Sequence, residues 1–305
     1  MAEPYAVVKY MPVTCLALIA ALSLGSAQLT HGKSYWQAIA REKFELPAGE
    51  QAAPLADELI GNLGSPDPEL RDDLAVSILT SWIYQKKLLS ADDLRRMTLV
   101  LQSNLRRGIG EHEGDGVLLR SFSALTLSVI AARENEAPFL SPAEYHQLAG
   151  AALAYFRDEQ DLRGYDAKRG WVHSTAHTAD LLKFLARNPK LEPAEQAKIL
   201  AALTAKNTAA ASAFTHGEDE RMARVVISIV RRADFDRDAF RAWLASAGAA
   251  AKFPQAVTSD SLRAQQNVRH LLSALWTELS VDDRPSEGAD FARTALREAL
   301  KGAAF

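Results

Sequence analysis

The chain has 305 residues, of which 48% are apolar, so it can bury a sizeable core and is not disordered as a whole. Its formal net charge of −3 is too small to indicate nucleic acid or an anionic membrane as a partner. Alanine and leucine are abundant and runs of β-branched residues are few, which favours helices. We therefore expect an all-α protein.

The first segment has the features of a secretory signal peptide. Lys9 supplies a positive charge, an apolar run from Val13 to Leu24 follows, and Gly25-Ser26-Ala27 offers the small residues that signal peptidase needs. The apolar run is too short to span a bilayer comfortably. The sequence thus predicts cleavage near Ala27 and a periplasmic or secreted protein without a stable membrane span. An uncleaved anchor or a buried first helix is the alternative.

Residues 28–305 are predicted to form a single α-helical repeat domain. Two short helices, 34–43 and 51–62, come first. Later helices open with a cap residue that is often followed by a proline, and an acidic residue lies three positions after the cap. These openings are Ser65-Pro66-Asp67-Pro68, Ser90-Ala91-Asp92-Asp93, Ser141-Pro142-Ala143-Glu144 and Glu192-Pro193-Ala194-Glu195, with looser versions at 236–238 and 280–283. No strand pattern is found anywhere.

Five helices of more apolar character alternate with the capped ones. They are predicted at 70–84, 116–132, 170–187, 219–232 and 261–279, and their starts lie about 42 to 54 residues apart. This spacing resembles HEAT or armadillo repeats, so we expect stacked helical hairpins with these five helices on the inner side. Polar, glycine-containing loops precede three of them, at 108–116, 158–170 and 216–221. Such loops on a rigid scaffold often carry binding or catalysis.

The segment 170–187 is predicted to be one helix that carries two histidines and an aspartate on one face. His173, His177 and Asp180 follow the spacing i, i+4, i+7. Two imidazoles at this spacing can bind one divalent metal, and a third or fourth ligand would have to come from another segment. Candidates for it are Asp161, His112, Glu218, Asp219 and Glu220.

The same side chains also allow a purely structural interpretation. Asp180 could accept a hydrogen bond from His177, and Asp161 could close its loop through an ion pair with Arg163. In addition, the glutamate of the His-Glu-x-x-His motif is absent, because Ser174 occupies that position.

Two arginines interrupt apolar helices and are expected to flank the histidines. Arg120 lies in the run 117–122, and Arg221 shares a face with Met222 and Val225. An arginine among apolar residues usually holds a carboxylate or an anion. The sequence therefore predicts a pocket for a small polar or anionic ligand or a peptide segment, lined by Arg120, Asp161, Arg163, His173, His177, Asp180, Glu220 and Arg221.

Four ordered blocks between about residues 60 and 235 resemble a bacterial family catalogued as domain of unknown function 2785. The blocks are Arg120-Ser121-Phe122-Ser123, residues 161–165, residues 170–182 and Glu218-Asp219-Glu220-Arg221-Met222-Ala223. Thr178 stands where glycine is expected in relatives. The resemblance implies an all-helical domain without an established activity.

Three functional hypotheses follow from the sequence. The first is a binding module for the ligand described above. The second is a metal-dependent hydrolase that uses His173, His177 and carboxylates including Asp180. The third is a structural polar core inside an interaction scaffold. Residues 236–305 carry a helical pattern but no motif that points to a function.

Overall fold

The computed structural model of the chain describes residues 31–112 and 114–302. Within this part of the chain nearly all regular structure is helical, which confirms the predicted all-α class. The predicted signal peptide, 1–27, lies outside the described residues. The α-helices are α1 (Lys33–Arg41), α2 (Ala52–Asn62), α3 (Ser77–Thr80), α4 (Ala91–Asn104), α5 (Gly116–Glu136), α6 (Pro142–Asp158), α7 (Ser174–Arg187), α8 (Pro193–Ala209), α9 (Glu218–Val230), α10 (Arg237–Ala250), α11 (Ser259–Val281) and α12 (Glu287–Gly302).

The predicted helix at 70–84 is present, but most of it is π-helical. A first π-helix, Glu69–Val76, leads into the single turn α3, and a second π-helix, Ser81–Gln85, ends the segment. Asp67 caps the start, because its Oδ1 accepts from the Glu69 amide at 3.0 Å. π-helices are rare and frequently occur at functional sites.

The predicted capping signals mostly mark true helix starts. Ser90 opens α4 and Ser141 opens α6 with reciprocal capping boxes, and Asp236 caps α10. The looser signal at 280–283 is wrong, because α11 continues to Val281 and α12 begins only at Glu287. The chain there stays helical because Leu275 and Leu279 are buried in the core.

The helices pack in two sequential rows. The helical segment 69–85 packs against α5, α5 against α7, α7 against α9, and α9 against α11. On the other side α4, α6, α8, α10 and α12 contact one another in that order. One large apolar cluster joins the two rows. Since burying a large apolar side chain stabilises by about 1.5–3 kcal/mol, this cluster is the main source of stability.

Helix α5 is long and apolar enough to cross a membrane by length and composition alone. However, 72% of its most apolar window is buried inside the protein. The helix lies between α4 and α7, and such burial is typical of a core helix.

A short β-hairpin occupies a stretch for which no strand was predicted. Strands β1 (Tyr165–Asp166) and β2 (Gly170–Trp171) pair antiparallel, with Tyr165 opposite Trp171. The predicted helix at 170–187 is therefore wrong in its first four residues. Gly170 has a positive φ of 69°, which a right-handed helix does not allow.

Candidate functional site

The β-hairpin leads directly into the start of α7, where a longer helix was predicted. His173 is the N-cap residue and has a left-handed conformation, with φ at 51°. The amides of Val172 and His173 donate to the carbonyls of Gly164 and Arg163, at 2.9 and 3.0 Å. A non-glycine residue at positive φ is strained, and such strain concentrates at functional sites.

The hairpin, the first π-helix, α5, α7 and the start of α9 surround a cleft of about 430 Å³. We call it the histidine cleft. Its polar and apolar lining residues are Asp72, Val76, Phe122, Leu125, Trp171, His173, His177, His216 and Arg221. Of the residues predicted as ligand contacts, His173, His177 and Arg221 line it.

His177 is held in one tautomer by α5. Its Nδ1 lies 2.8 Å from Ser121 Oγ, and the single proton of Ser121 is donated to the carbonyl of Val172. Nδ1 must therefore donate to Ser121, which leaves the Nε2 lone pair available. Burial lowers the pKa of His177 well below its usual value, and the positive charges of Arg221 and Arg71 act in the same direction. The imidazole is thus neutral at pH 7.

His173 is fixed by the loop that precedes α9. Its Nε2 donates to the carbonyl of His216 at 2.9 Å and lies 3.7 Å from Glu218 Oε1. Its ring stacks on Trp171 at 4.7 Å between centroids, and 5.6 Å separates it from the ring of His177. Burial lowers the pKa of His173, although Glu218 raises it.

Arg221 and Asp180 form an ion pair at the edge of the cleft. Arg221 Nη1 donates to Asp180 Oδ2, and Lys183 Nζ contacts Asp180 Oδ1 at 2.8 Å. The Asp180 side chain is only 9% exposed, whereas that of Arg221 is 34% exposed. Asp180 therefore neutralises cations, and Arg221 is the member of the pair that faces the cleft.

Asp72 lines the cleft but was not predicted from the sequence. Arg71 Nε lies 2.7 Å from its Oδ1, yet the two groups are not aligned for a hydrogen bond. Burial raises the pKa of Asp72 to about 6, because it outweighs the lowering effect of Arg71. A carboxyl group titrating near neutrality in a cleft is a typical feature of functional sites.

The shift at Asp72 predicts a pH dependence of stability. Its pKa is about 6 in the folded protein and 3.8 as the ordinary value. The stabilisation that Asp72 contributes to the free energy of unfolding is therefore complete below about pH 4 and is lost as the pH rises through 6. Allowing for partial exposure, we expect the loss to be about 1–2 kcal/mol.

Urea unfolding of the wild type and Asp72→Asn between pH 4 and pH 8 measures this contribution. The free energy of unfolding of the variant should rise relative to the wild type as the pH increases. His173 and His177 have lowered pKa values in the folded protein, so they reduce its free energy of unfolding as the pH falls below about 6.5. This effect is present in both proteins and therefore does not change the difference between them. A constant difference between the two proteins would contradict the prediction.

Arg120, predicted to flank the histidines, does not line the cleft. Its guanidinium is fully buried, and its Nε donates to Glu159 at 2.6 Å. Its Nη1 donates to the carbonyls of Arg107 and Gly108, both at 2.9 Å. Arg120 therefore ties the loop after α4 to the end of α6.

The remaining predicted ligand contacts also have other partners. Asp161 forms a two-oxygen ion pair with Arg163, which confirms the local loop closure considered above. Arg163 also donates to the carbonyl of Gly114 at 2.8 Å. The Glu220 side chain is 62% exposed and lies 4.0 Å from the Arg224 guanidinium. None of these three acidic or basic groups lines the cleft.

The predicted metal ligands do not form a metal-binding group. Across residues 31–112 and 114–302, no set of three or more His, Cys, Asp or Glu side chains converges as a metal ion requires. Asp180 is turned toward Arg221 and Lys183, and of the other candidate ligands only Glu218 lies near His173. The geometry therefore does not support the set His173, His177 and Asp180.

Four residues that shape the cleft were missed by the sequence interpretation. Asp72 belongs to no motif, and Trp171, although it lies in the block 170–182, was placed on a helix rather than on a strand. His216 was noted only as part of a polar loop. Arg71 donates to the carbonyls of Arg169 and Trp171, at 2.6 and 3.1 Å, and holds the hairpin in place. These two bonds span 98 and 100 residues, so no local pattern could reveal them.

Gly164 makes room for His216. A Cβ atom at Gly164 would lie 2.4 Å from Nδ1 and 2.8 Å from Cβ of His216. We expect Gly164→Ala to displace His216 and to lower the free energy of unfolding by about 1–3 kcal/mol in urea titrations. Gly150→Ala on α6 is the control, because no atom lies within 4 Å of the position that its methyl group would take. It should be neutral or stabilising. Equal effects of the two variants would contradict the expectation.

Comparison with known proteins gives one family. The family model described as "Protein of unknown function (DUF2785)" matches residues 105–277, more than half of the chain. The match includes the cleft residues of the hairpin, α5, α7 and α9, but not Asp72 or Val76. No curated protein and no solved structure matches the chain.

Proposed function

Since the chain belongs to the family described as Protein of unknown function (DUF2785), we propose its function from the geometry of the histidine cleft: it binds a small polar ligand there. The observation that carries this proposal is the free Nε2 lone pair of the neutral His177. Ser121 occupies the other ring nitrogen, and no described residue hydrogen-bonds to Nε2. A lone pair that is fixed in direction and open to a cleft is suited to accept a hydrogen bond from a ligand.

Two further features support a binding site at this position. The strained backbone of His173 and the first π-helix, which carries Asp72, both border the cleft. Backbone strain of this kind costs free energy and clusters at functional sites, and π-helical segments are rare and recur there as well. The cleft volume of about 430 Å³ also lies in the range of small-molecule sites.

The charges around the cleft favour a neutral polar ligand over an anionic one. Arg71 contacts Asp72, and Arg221 pairs with Asp180, so each of these two arginines already contacts a carboxylate. Arg120, expected to add a positive charge, pairs with Glu159 instead. Because both arginines already contact a carboxylate, little electrostatic attraction remains for an anion.

Thermal unfolding with a panel of polar compounds tests the proposal. The panel contains neutral sugars, nucleosides, amino acids and small carboxylates at millimolar concentration. A ligand at about a hundred times its Kd adds about 2.7 kcal/mol, which raises Tm by about 5 °C in a protein of this size. We expect at least one neutral compound to raise Tm.

Matched aspartate variants show whether the cleft is responsible. Asp72→Asn should abolish the rise in Tm, whereas Asp73→Asn should retain it, because Asp73 is exposed on the same π-helix and does not line the cleft. If no compound raises Tm, the polar groups are a structural core and the proposal is wrong.

We also propose a stacked-hairpin scaffold and export for this protein. The sequential contacts within each helix row support a HEAT-like or armadillo-like arrangement. The charged, apolar and small-residue segments of residues 1–27 support a cleaved signal peptide. Mass spectrometry of the mature protein should find an N-terminus near Gln28, and retention of Met1 would exclude cleavage.

A further inference from the structure

We propose that the ligand of the histidine cleft is a carbohydrate, one sugar ring of which lies against Trp171. This inference rests on the proposed function and names the chemical class of the ligand. It is carried by an exposed but immobilised tryptophan beside a set of hydrogen-bonding groups that matches sugar hydroxyls.

Trp171 is unusually accessible for a tryptophan, since the tryptophans at 36, 82 and 243 are buried. It is 43% exposed, and its strand partner Tyr165 is 55% exposed. The two rings contact each other edge to face at 5.2 Å, so they form one aromatic surface next to the cleft. Exposed aromatic surface of this kind often marks a site of interaction.

The hairpin holds this aromatic surface rigidly. His173 stacks on the indole at 4.7 Å, and Arg71 donates to the Trp171 carbonyl. Arg169 of the hairpin forms two hydrogen bonds with Asp115, at 2.7 and 2.9 Å. A surface that is already fixed loses little conformational entropy when a ligand binds.

The polar groups of the cleft match the requirements of hydroxyl groups. A hydroxyl donates one hydrogen bond and accepts others. Asp72 and His177 Nε2 offer acceptors, and Arg221, which is 34% exposed, offers donors. The C–H bonds of a sugar ring carry a small positive charge, which the negative face of an indole attracts. Trp171 thus supplies the apolar contact and the cleft supplies the polar ones.

Other classes of small ligand fit the cleft less well. An acidic ligand would meet Arg221, whose charge is already paired with Asp180. A planar base is best held between two parallel walls. Phe122, the other aromatic side chain of the cleft, is already contacted by the Arg71 guanidinium at 4.5 Å and by the His177 ring at 4.8 Å. It therefore does not provide a second free wall opposite Trp171.

Tryptophan fluorescence provides a direct test. Of the five tryptophans, Trp171 is the exposed one, since Trp36, Trp82 and Trp243 are buried and Trp276 is half-buried. Neutral mono- and disaccharides, adenosine and citrate are titrated into the full chain. We expect at least one sugar to shift the emission to shorter wavelength, with a saturable curve, while adenosine and citrate do not.

Substitutions then link the binding to Trp171. Isothermal titration calorimetry with the responding sugar should show that Trp171→Ala binds it at least about tenfold more weakly than the wild type. Trp171→Phe should lose less affinity. Phe253→Ala, which removes a 70% exposed aromatic side chain away from the cleft, should not change the affinity. Thermal unfolding of each variant establishes that it is folded.

The outcomes separate this inference from the proposed function. Binding of adenosine or citrate without any sugar would overturn the carbohydrate assignment and leave a small-ligand cleft. Sugar binding of equal strength in wild type and Trp171→Ala would also overturn it. If no compound of any class binds, both the assignment and the proposed function fail.

Discussion

Replacing Arg120 by methionine is expected to lower the free energy of unfolding by about 3–5 kcal/mol. The Arg120 side chain is fully buried and the Glu159 side chain is 2% exposed, so the substitution leaves a buried carboxylate without its counter-ion. It also removes the donors to the carbonyls of Arg107 and Gly108. Urea unfolding should show this loss, and Tm should fall by about 10 °C.

A control arginine and a double-mutant cycle isolate the buried pair. Arg106→Met changes an exposed arginine of the neighbouring loop and should cost less than about 0.5 kcal/mol. The double variant Arg120→Met with Glu159→Met should cost less than the sum of the single ones, because neither charge is then left alone. Additive losses would show that the two side chains act independently. Ligand binding should survive in the folded fraction, since Arg120 lies outside the cleft.

Arg71→Met is expected to destabilise the protein by a similar amount, about 3–5 kcal/mol, and to loosen the hairpin as well. Arg71 is fully buried and donates to the carbonyls of Ser65, Arg169 and Trp171. These three hydrogen bonds are partly buried, and the loss of each costs about 1–1.5 kcal/mol. Asp72 would also lose its nearest cation. Hydrogen exchange should therefore accelerate at the amides of residues 163–173.

The control for Arg71 lies on the same hairpin. Arg169→Met removes a cation that pairs with Asp115 at the surface, where the two side chains are 36% and 44% exposed. A surface ion pair contributes about 0–1 kcal/mol, so this variant should remain close to wild type in urea. If both variants lose equal stability, burial of Arg71 is not the cause. If exchange in the hairpin is unchanged in Arg71→Met, the hairpin does not depend on it.

Part of the candidate site was predictable because its residues are close in sequence. His173 and His177 are four positions apart, and the predicted helix, which in the structure begins right after His173, brings the two side chains close together. Arg221 was recognised because a charge among apolar helix residues needs a partner. Asp180 was recognised as well, but its partners turned out to be Arg221 and Lys183 rather than a metal ion.

The sequence by itself determined the helices and most of their starts. Helix starts and apolar spacing depend on interactions over a few residues, as at the caps Ser90 and Ser141. Such signals can therefore be recognised in a short stretch of sequence. Only the tertiary structure decided that Arg120 is a buried brace, that Asp72 enters the cleft, and that residues 165–171 form a hairpin. These outcomes depend on contacts between segments 39 to 100 residues apart, such as Arg120 with Glu159 and Arg71 with Trp171. Such contacts form only when the core has packed, because the free energy that fixes them comes from burial and not from local backbone preference.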